Sequence, residues 1–393
     1  MSLRVLTLST LFPDITRPNF GLFVERQCRE LAIRDRVEVS VIAPIGIPPW
    51  PLSRHSRYAA LLSLPKEEHW RTLTVHRPRF PIFPRLGARL HVAAMTRAIW
   101  PLVRDLHARA AFDVIDASFF YPDGPVARRI ARRLGIPYSV KARGSDIHHW
   151  GRAPATRKAV RGAAADAAGL LAVSAAMRRS MVALGMDADK IRVHYTGVDL
   201  DSFAPLDRDE AKARFSLSGP VVLCVGHIIE RKGQELLVRA LPALPGVTLI
   251  LAGQGPAASR LETLAQELGV GDRLGILGSV PHDQLPALYN AADVMALPSA
   301  SEGLANAWVE ALACGTPILI SDVGGARELL TEAAGAAGRI VERTPEAIAA
   351  ALGEMLAQMP DRTAVRSAAL PFTWRANGDA LEEHLRRITG KMG

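Results

Sequence analysis

The stretch from Pro298 to Pro317, PSASEGLANAWVEALACGTP, sets two carboxylates eight residues apart, Glu302 and Glu310. Before them, DVMALPS reads as a buried strand. Ser301, Glu302 and Gly303 make a turn, and LANAWVEALA follows with a helical pattern closed by Cys314-Gly315-Thr316-Pro317. A carboxylate just past a strand's carboxyl end lies where open α/β sheets bind their ligands. The backbone N–H groups of Gly303, Leu304, Ala305 and Asn306 open the helix, where they are free to hold an anion. Gly303 has no side chain to block a close approach. Glu310 falls one helical turn after Asn306, on a similar face. With a diphosphate on the helix start, the two carboxylates would reach hydroxyls on either side of it. The plainer alternative makes Glu302 a cap and Glu310 a surface residue.

Alternating strand and helix patterns surround this segment. RVLTLST, VEVSVIAP, FDVIDAS, PYSVKAR and GLLAVS read as buried strands in the first half, with helical patterns such as FVERQCRELAIR and PVARRIARRLG between them. The series restarts at PVVLCVG and continues through VTLILAGQG, RLGILGS, DVMALPS and TPILISD. Short apolar strands alternating with helices imply parallel sheets covered on both faces. The fold class is therefore α/β, with two doubly wound Rossmann-like domains. Residues 1–204 form the first domain, 205–219 a polar linker and 220–372 the second domain. Residues 373–393 carry a last helix placed to return to the first domain.

The 393 residues are about half apolar, enough for two cores. Three widely spaced cysteines, Cys28, Cys224 and Cys314, suggest neither a disulfide framework nor a zinc site and point to a reducing cytoplasm. No apolar run approaches a membrane span, and the N-terminus lacks a signal-peptide pattern. The net charge of +9 divides unevenly: residues 1–200 carry +15 and residues 201–393 carry −6. Residues 51–104 alone hold ten Arg and Lys against Glu67 and Glu68, mixed with Tyr58, Trp70, Phe80, Phe83 and Trp100 and directly preceded by Trp50. That mixture suits an anionic membrane surface. A solvated, arginine-rich surface is the alternative. No nucleic acid is expected as a partner. Asp187-Ala188-Asp189, Asp199-Leu200-Asp201 and Asp207-Arg208-Asp209 spell D-x-D, but each lies where a turn or cap explains it, and no metal site is expected.

EGLANAWVEALACGTPILISDVGGARE resembles the glutamate-seven-residues-glutamate motif of family 4 glycosyltransferases. VGHIIERKG is similar to that family's glycine-basic-lysine-glycine loop, and LAGQGP to its AGxGP segment. VSAAMRRSMVALGMDADKIRVHYTGVDLDSF resembles the stretch leading to its NGVD-type turn. FGLFVERQ, FYPDG and ARGSDI resemble segments of its acceptor domain. The motifs stand in the family's order and cover nearly the whole chain.

The resemblance implies the GT-B fold, two domains facing each other across a cleft, and transfer of a sugar from a nucleotide-diphospho-sugar with retention of configuration. It places Glu302 on hydroxyls of the donor sugar, the Gly303–Asn306 amides on the diphosphate and Glu310 on the ribose diol. Lys232, with Arg231 beside it, would neutralise the departing diphosphate. Gly226 and Gly253 belong to donor loops, and Gly21 to the loop under the donor phosphates. The sequence departs from the family twice. His227 stands where an arginine is common, and Arg143 of Arg143-Gly144-Ser145-Asp146 stands where a histidine is common. Arg143 would contact a sugar or an acidic acceptor group, or else pair with Asp146, itself an acceptor-side candidate.

The implied reaction needs no cofactor beyond the co-substrate, for which a UDP-sugar is the expectation. The implied acceptor is a lipid-linked saccharide of bacterial surface-polysaccharide or lipopolysaccharide synthesis. The protein would be cytoplasmic and peripheral on the membrane. A nucleotide-sugar 2-epimerase of the same fold, or a nonenzymatic nucleotide-sugar-binding protein, are the alternatives.

Overall fold

The computed structural model describes residues 1–83, 88–331 and 335–391. The chain divides into two units, one of Met1–Tyr195 with Trp374–Gly393 and the other of Thr196–Thr373.

The first unit is built on β1 (Leu3–Leu8), β2 (Val37–Ile42), β3 (Ile45–Ile47), β4 (Glu67–Trp70), β5 (Leu73–His76), β6 (Arg79–Pro81), β7 (Val114–Ala117), β8 (Tyr138–Ala142), β9 (Gly169–Ala172) and β10 (Ile191–Val193). Eight of these form one sheet in the order β10-β9-β8-β7-β1-β2-β5-β4, and β3 pairs with β6 separately. Every pairing in the large sheet is parallel except β4 with β5. Strands β7, β8 and β9 are buried along their whole length, with Asp116, Ser139 and Lys141 interrupting otherwise mostly apolar runs. One face packs Val126, Ile130, Met95, Ile99 and Val140 into the main core. On the other face, Leu381 and Leu385 of the helix Trp374–Thr389 meet Leu3, Val5, Val114 and Leu171. Arg34 adds Glu30 at 3.2 Å and Asp379 to the same seam.

The second unit contains β11 (Val221–Val225), β12 (Thr248–Ala252), β13 (Leu274–Gly278), β14 (Val294–Leu297), β15 (Ile318–Ser321) and β16 (Gly338–Val341). Their order is β13-β12-β11-β14-β15-β16, all parallel. The chain leaves β11 in one direction and returns to its other side at β14. The carboxyl ends of β11 and β14 therefore bound the switch point where such sheets take ligands.

The polar stretch 205–219, expected to be a linker, is part of the second unit. It folds into a helix, Arg208–Arg214, capped by Asp207, whose carboxylate accepts from Glu210 N at 2.9 Å. Lys212 ties it to Asp293 at 2.8 Å and Ala211 is buried. Its many charges face solvent or pair, so polarity there marks an amphipathic helix. The division instead falls at Tyr195–Thr196, before the turn that precedes that helix.

Candidate active site

Each unit gathers polar side chains at the carboxyl ends of its central strands. In the second unit the chain leaves β11 through Gly226 and the exposed His227, then makes a one-turn helix, Glu230–Lys232. Gly233 ends it with φ 76, a left-handed conformation, and a Cβ there would overlap the Pro298 carbonyl. This turn sends Lys232 back over the strand end, so that a Cβ on Gly226 would lie 3.9 Å from its Nζ. Lys232 Nζ donates to Glu302 Oε1 at 2.6 Å. Arg231 comes within 3.5 Å of the same oxygen and donates to the Ser301 carbonyl. Gly253, at the end of β12, packs so closely that a Cβ would overlap the Gly226 carbonyl. Lys232, Arg231 and Glu302, which are 70 and 71 residues apart, thus meet at one strand end.

The helix after Glu302 runs from Asn306 to Ala313, starting two residues later than the pattern implied. Gly303 and Leu304 form a bend before the extended Ala305, and among the described residues their amides donate to no acceptor. Gly303 instead accepts from Gly325 N at 2.7 Å, which pins the turn. Asn306 Oδ1 accepts from Thr196 Oγ1 at 2.9 Å. Backbone donors, a lysine and a carboxylate converge here, an arrangement that can hold a diphosphate beside a hydroxyl-bearing group.

Glu310 is neither at the surface nor alone. His282 Nε2 lies 3.0 Å from Oε1, and the Tyr289 hydroxyl donates to Oε2 at 3.0 Å. Neither partner was apparent from the sequence, since they stand 28 and 21 residues away on a one-turn helix and a buried helix.

In the first unit, Gly21 has φ 71 and a Cβ there would overlap the Leu11 backbone, so the loop after β1 and the helix Leu22–Ala32 meet at glycine. Arg143 follows β8. Its Nε donates to the Ser118 carbonyl at 2.8 Å and an Nη to Gln27 Oε1 at 3.1 Å, while its guanidinium lies over the Phe23 ring at 4.6 Å. The Arg143–Asp146 side-chain pair considered above is not formed. Asp146 is fully buried and accepts from the amides of Gly144 at 2.7 Å, Arg143 at 3.0 Å and Phe120 at 3.2 Å. It shapes the loop that carries Arg143.

Behind Arg143 lies a charged layer that sequence patterns did not show. Buried Lys141 donates to Gln27 Oε1 at 3.0 Å and lies 2.8 Å from His194 Nδ1. His194 Nε2 is 2.8 Å from the Asn377 carbonyl. That partner takes the ring's proton, so Nδ1 accepts from the lysine. Burial drives Lys141 well below the ordinary lysine range and lowers Arg143 to about 10. Burial also raises Asp116 to about 6 and Asp123 to about 7.

The basic, aromatic stretch 51–104 divides by environment. Arg77 is buried, paired with Glu68 and donating to the Pro13 carbonyl at 2.7 Å. Arg79 donates to the Leu62 and Leu64 carbonyls. Trp70, Phe80, Tyr58 and Trp100 pack against cores. Trp50, Leu52 and Leu62 stand out in solvent near Arg54, with Trp50 76% exposed. Arg85 lies outside the described residues, as does the side chain of Arg89. Among the described residues no helix is long and apolar enough to cross a membrane.

Two doubly wound units with a carboxylate, a lysine and open amides at the second unit's switch point define a glycosyltransferase of the GT-B fold. Residues 21–202 match the family model described as Glycosyltransferase Family 4, and residues 207–370 the one described as Glycosyl transferases group 1. The chain is 34% identical over 283 residues to a GDP-mannose-dependent alpha-(1-6)-phosphatidylinositol monomannoside mannosyltransferase of Mycolicibacterium smegmatis, covering 67% of this chain and 72% of that protein. It is 39% identical over 207 residues to a D-inositol 3-phosphate glycosyltransferase of Mycolicibacterium gilvum, covering 50% of this chain and 46% of that one. The fold matches a sucrose-phosphate synthase from Thermosynechococcus elongatus with a TM-score of 0.81 and 21% identity, over 99% of this chain and 100% of that one. It also matches Anabaena HepE in complex with UDP, with a TM-score of 0.73 and 21% identity, over 98% and 100%. The chain belongs to the family 4 glycosyltransferases.

Proposed function

We propose that the protein transfers a sugar, with retention of configuration, from a nucleoside-diphosphate sugar to a glycan or polyol carried on a lipid. The observation that carries this reading is the meeting of Lys232, Glu302 and the free amides of Gly303–Ala305 at the switch point. The amides and Lys232 bind the diphosphate, Glu302 binds hydroxyls of the sugar and Glu310 binds the ribose. Arg231, already tied to the Ser301 carbonyl, adds positive field. His227 and Gly226 border the phosphates and Gly253 keeps the neighbouring strand end close. As the bond from the anomeric carbon to the diphosphate oxygen breaks, charge grows on that oxygen, and Lys232 stabilises it there. The acceptor hydroxyl attacks the same face and passes its proton to a leaving phosphate oxygen. No other cofactor enters.

On the first unit, Gly21 lies in the loop under the donor phosphates, and Arg143 with the loop shaped by Asp146 forms the acceptor side. The sequence expectation of a surface-polysaccharide or lipopolysaccharide acceptor narrows to a shared chemistry, a hydroxyl on a lipid-borne headgroup. The Mycolicibacterium smegmatis relative, named for a phosphatidylinositol monomannoside acceptor, supports it. That relative's name also sets GDP-mannose beside the UDP-sugar expectation. Trp50, Leu52, Leu62 and Arg54 would bring the first unit to an anionic membrane from the cytoplasmic side. Incubation with UDP-glucose, UDP-galactose, UDP-N-acetylglucosamine and GDP-mannose, with and without phosphatidylinositol vesicles, tests the reading. Acceptor-dependent release of nucleoside diphosphate and a glycosylated lipid are expected. Donor isomerised without transfer, or bound without turnover, would overturn it.

A further inference from the structure

Glu310 is held by two donors from elements other than its own helix. Tyr289 belongs to the helix Leu285–Ala291 and is fully buried, with its hydroxyl on Oε2 at 3.0 Å. His282 lies in the one-turn helix His282–Gln284 after β13, with Nε2 3.0 Å from Oε1. The imidazole packs edge-on against Phe203, ring centroids 5.2 Å apart, and Phe203 is itself buried and 6.1 Å from the Tyr289 ring. Each carboxylate oxygen thus has one fixed donor, and each keeps further acceptor capacity. The Glu310 side chain remains 12% exposed and the His282 side chain 20%. A carboxylate needed only as a helix-surface charge requires no such pair. A carboxylate that must present both oxygens to two adjacent hydroxyls gains from having its rotation stopped, because less freedom is lost on binding.

We propose that His282 and Tyr289 are positioning residues that lock the Glu310 carboxylate in the orientation that reads the 2′,3′-diol of the donor's ribose, and so set selectivity for a ribonucleotide. This rests on the reading of Glu310 as the ribose ligand. Tyr289 fixes one oxygen from within the core. His282 fixes the other from the one-turn helix after β13.

The test measures binding of UDP and GDP, each beside its 2′,3′-dideoxy form, by calorimetry on the full chain. Wild type should prefer the ribo form by about tenfold or more, the scale of hydrogen bonds to a charged group. Tyr289→Phe and His282→Leu should each reduce that preference by about three- to tenfold while leaving dideoxy affinity unchanged. His282→Gln, which keeps an N–H donor, should retain most of it. Equal loss of ribo and dideoxy binding, or full preference retained in both variants, would overturn the inference. Failure of the underlying reading looks different: wild type would bind both forms alike, or Glu310→Ala would keep the preference. If Glu310→Ala abolishes the preference and the two partner variants do not, the ribose reading stands and only the positioning role falls. His282→Leu changes a partly exposed side chain outside the core, so it remains informative if Tyr289→Phe fails to fold.

Discussion

The Lys232 ammonium donates to Glu302 Oε1 across 2.6 Å, with the two side chains 14% and 10% exposed. The pair lets each charge sit in a half-buried strand end without the other groups of the reaction. A bound diphosphate competes for the same ammonium, and the sugar's hydroxyls compete for the same carboxylate.

That exchange separates binding from turnover in Glu302→Gln. Losing one charged hydrogen-bonding partner of the sugar removes about 1.5–3 kcal/mol, so kcat should fall tenfold or more. Lys232 meanwhile loses its internal competitor, so nucleoside diphosphate should bind as tightly as in wild type or more tightly. Thermal denaturation should show an intact fold. Near-normal turnover, or nucleotide binding lost together with turnover, would contradict the assignment.

Lys232→Ala removes the group that meets charge on the leaving oxygen. Loss of one such electrostatic contact costs on the order of 100-fold in kcat. Lys232→Arg keeps the charge and should recover part of it, although the guanidinium cannot reproduce a point charge. Steady-state kinetics decides this: a change confined to KM would make Lys232 a binding residue alone.

Activity should survive EDTA and gain nothing specific from manganese or magnesium. The three D-x-D segments have carboxylates already engaged. Asp187 accepts from Asp189 N at 3.0 Å, Asp199 from Ser202 Oγ at 2.8 Å and Asp207 from Glu210 N at 2.9 Å. Activity that is lost on chelation and restored by one cation would return those segments to the reaction.

Which parts of this arrangement are legible in sequence follows from range and burial. The strand VVLCV reads as a strand because both its faces are covered and nearly all its side chains are apolar. The edge strand EEHW, with two exposed glutamate and histidine positions, has no such run and pairs antiparallel at the sheet margin. The helix Arg208–Arg214 reads as linker in the sequence because only Ala211 is buried, although Asp207 and Glu210 spell a capping pair. Glu302 was legible from its strand-turn-helix setting. Gln27, which accepts from both Lys141 and Arg143, was not, because the three residues meet across more than a hundred positions. His282 and Tyr289 lie only 28 and 21 residues from Glu310, but on separate elements, and no spacing within one helix or strand links them to it.

Association with anionic vesicles should depend on side chains that the core does not use. Arg77 and Arg79 serve the interior, so their replacement reports on folding. Trp50 and Leu52 are exposed, and Arg54 and Arg97 project outward. Trp50→Ser with Arg54→Glu and Arg97→Glu should weaken co-sedimentation with phosphatidylglycerol vesicles, with each basic residue contributing on the order of 1 kcal/mol. Wild-type binding should fall with added salt. Absence of binding at low salt would remove the membrane from the proposal.

Stability below neutral pH should depend on His384. It lies on the C-terminal helix with Nε2 2.9 Å from Ser139 Oγ, and its Nδ1 is buried without a partner. A Cβ on Gly169 would press on the ring, so the imidazole has no room to reach water. Burial lowers its pKa to about 4, from the ordinary histidine value of about 6.5. Between those values the unfolded chain takes up a proton that the folded chain refuses. Stability from this group is therefore complete above about 6.5 and is lost as pH falls toward about 4. Asp116 and Asp123, raised to about 6 and about 7, contribute in the opposite direction, so the total curve does not isolate the histidine. The difference between wild type and His384→Gln does. Urea unfolding from pH 7 to pH 4 should show the variant losing less stability per pH unit, by up to one proton's slope of roughly 1.4 kcal/mol. Parallel curves for the two proteins would mean that His384 carries its proton in the folded state.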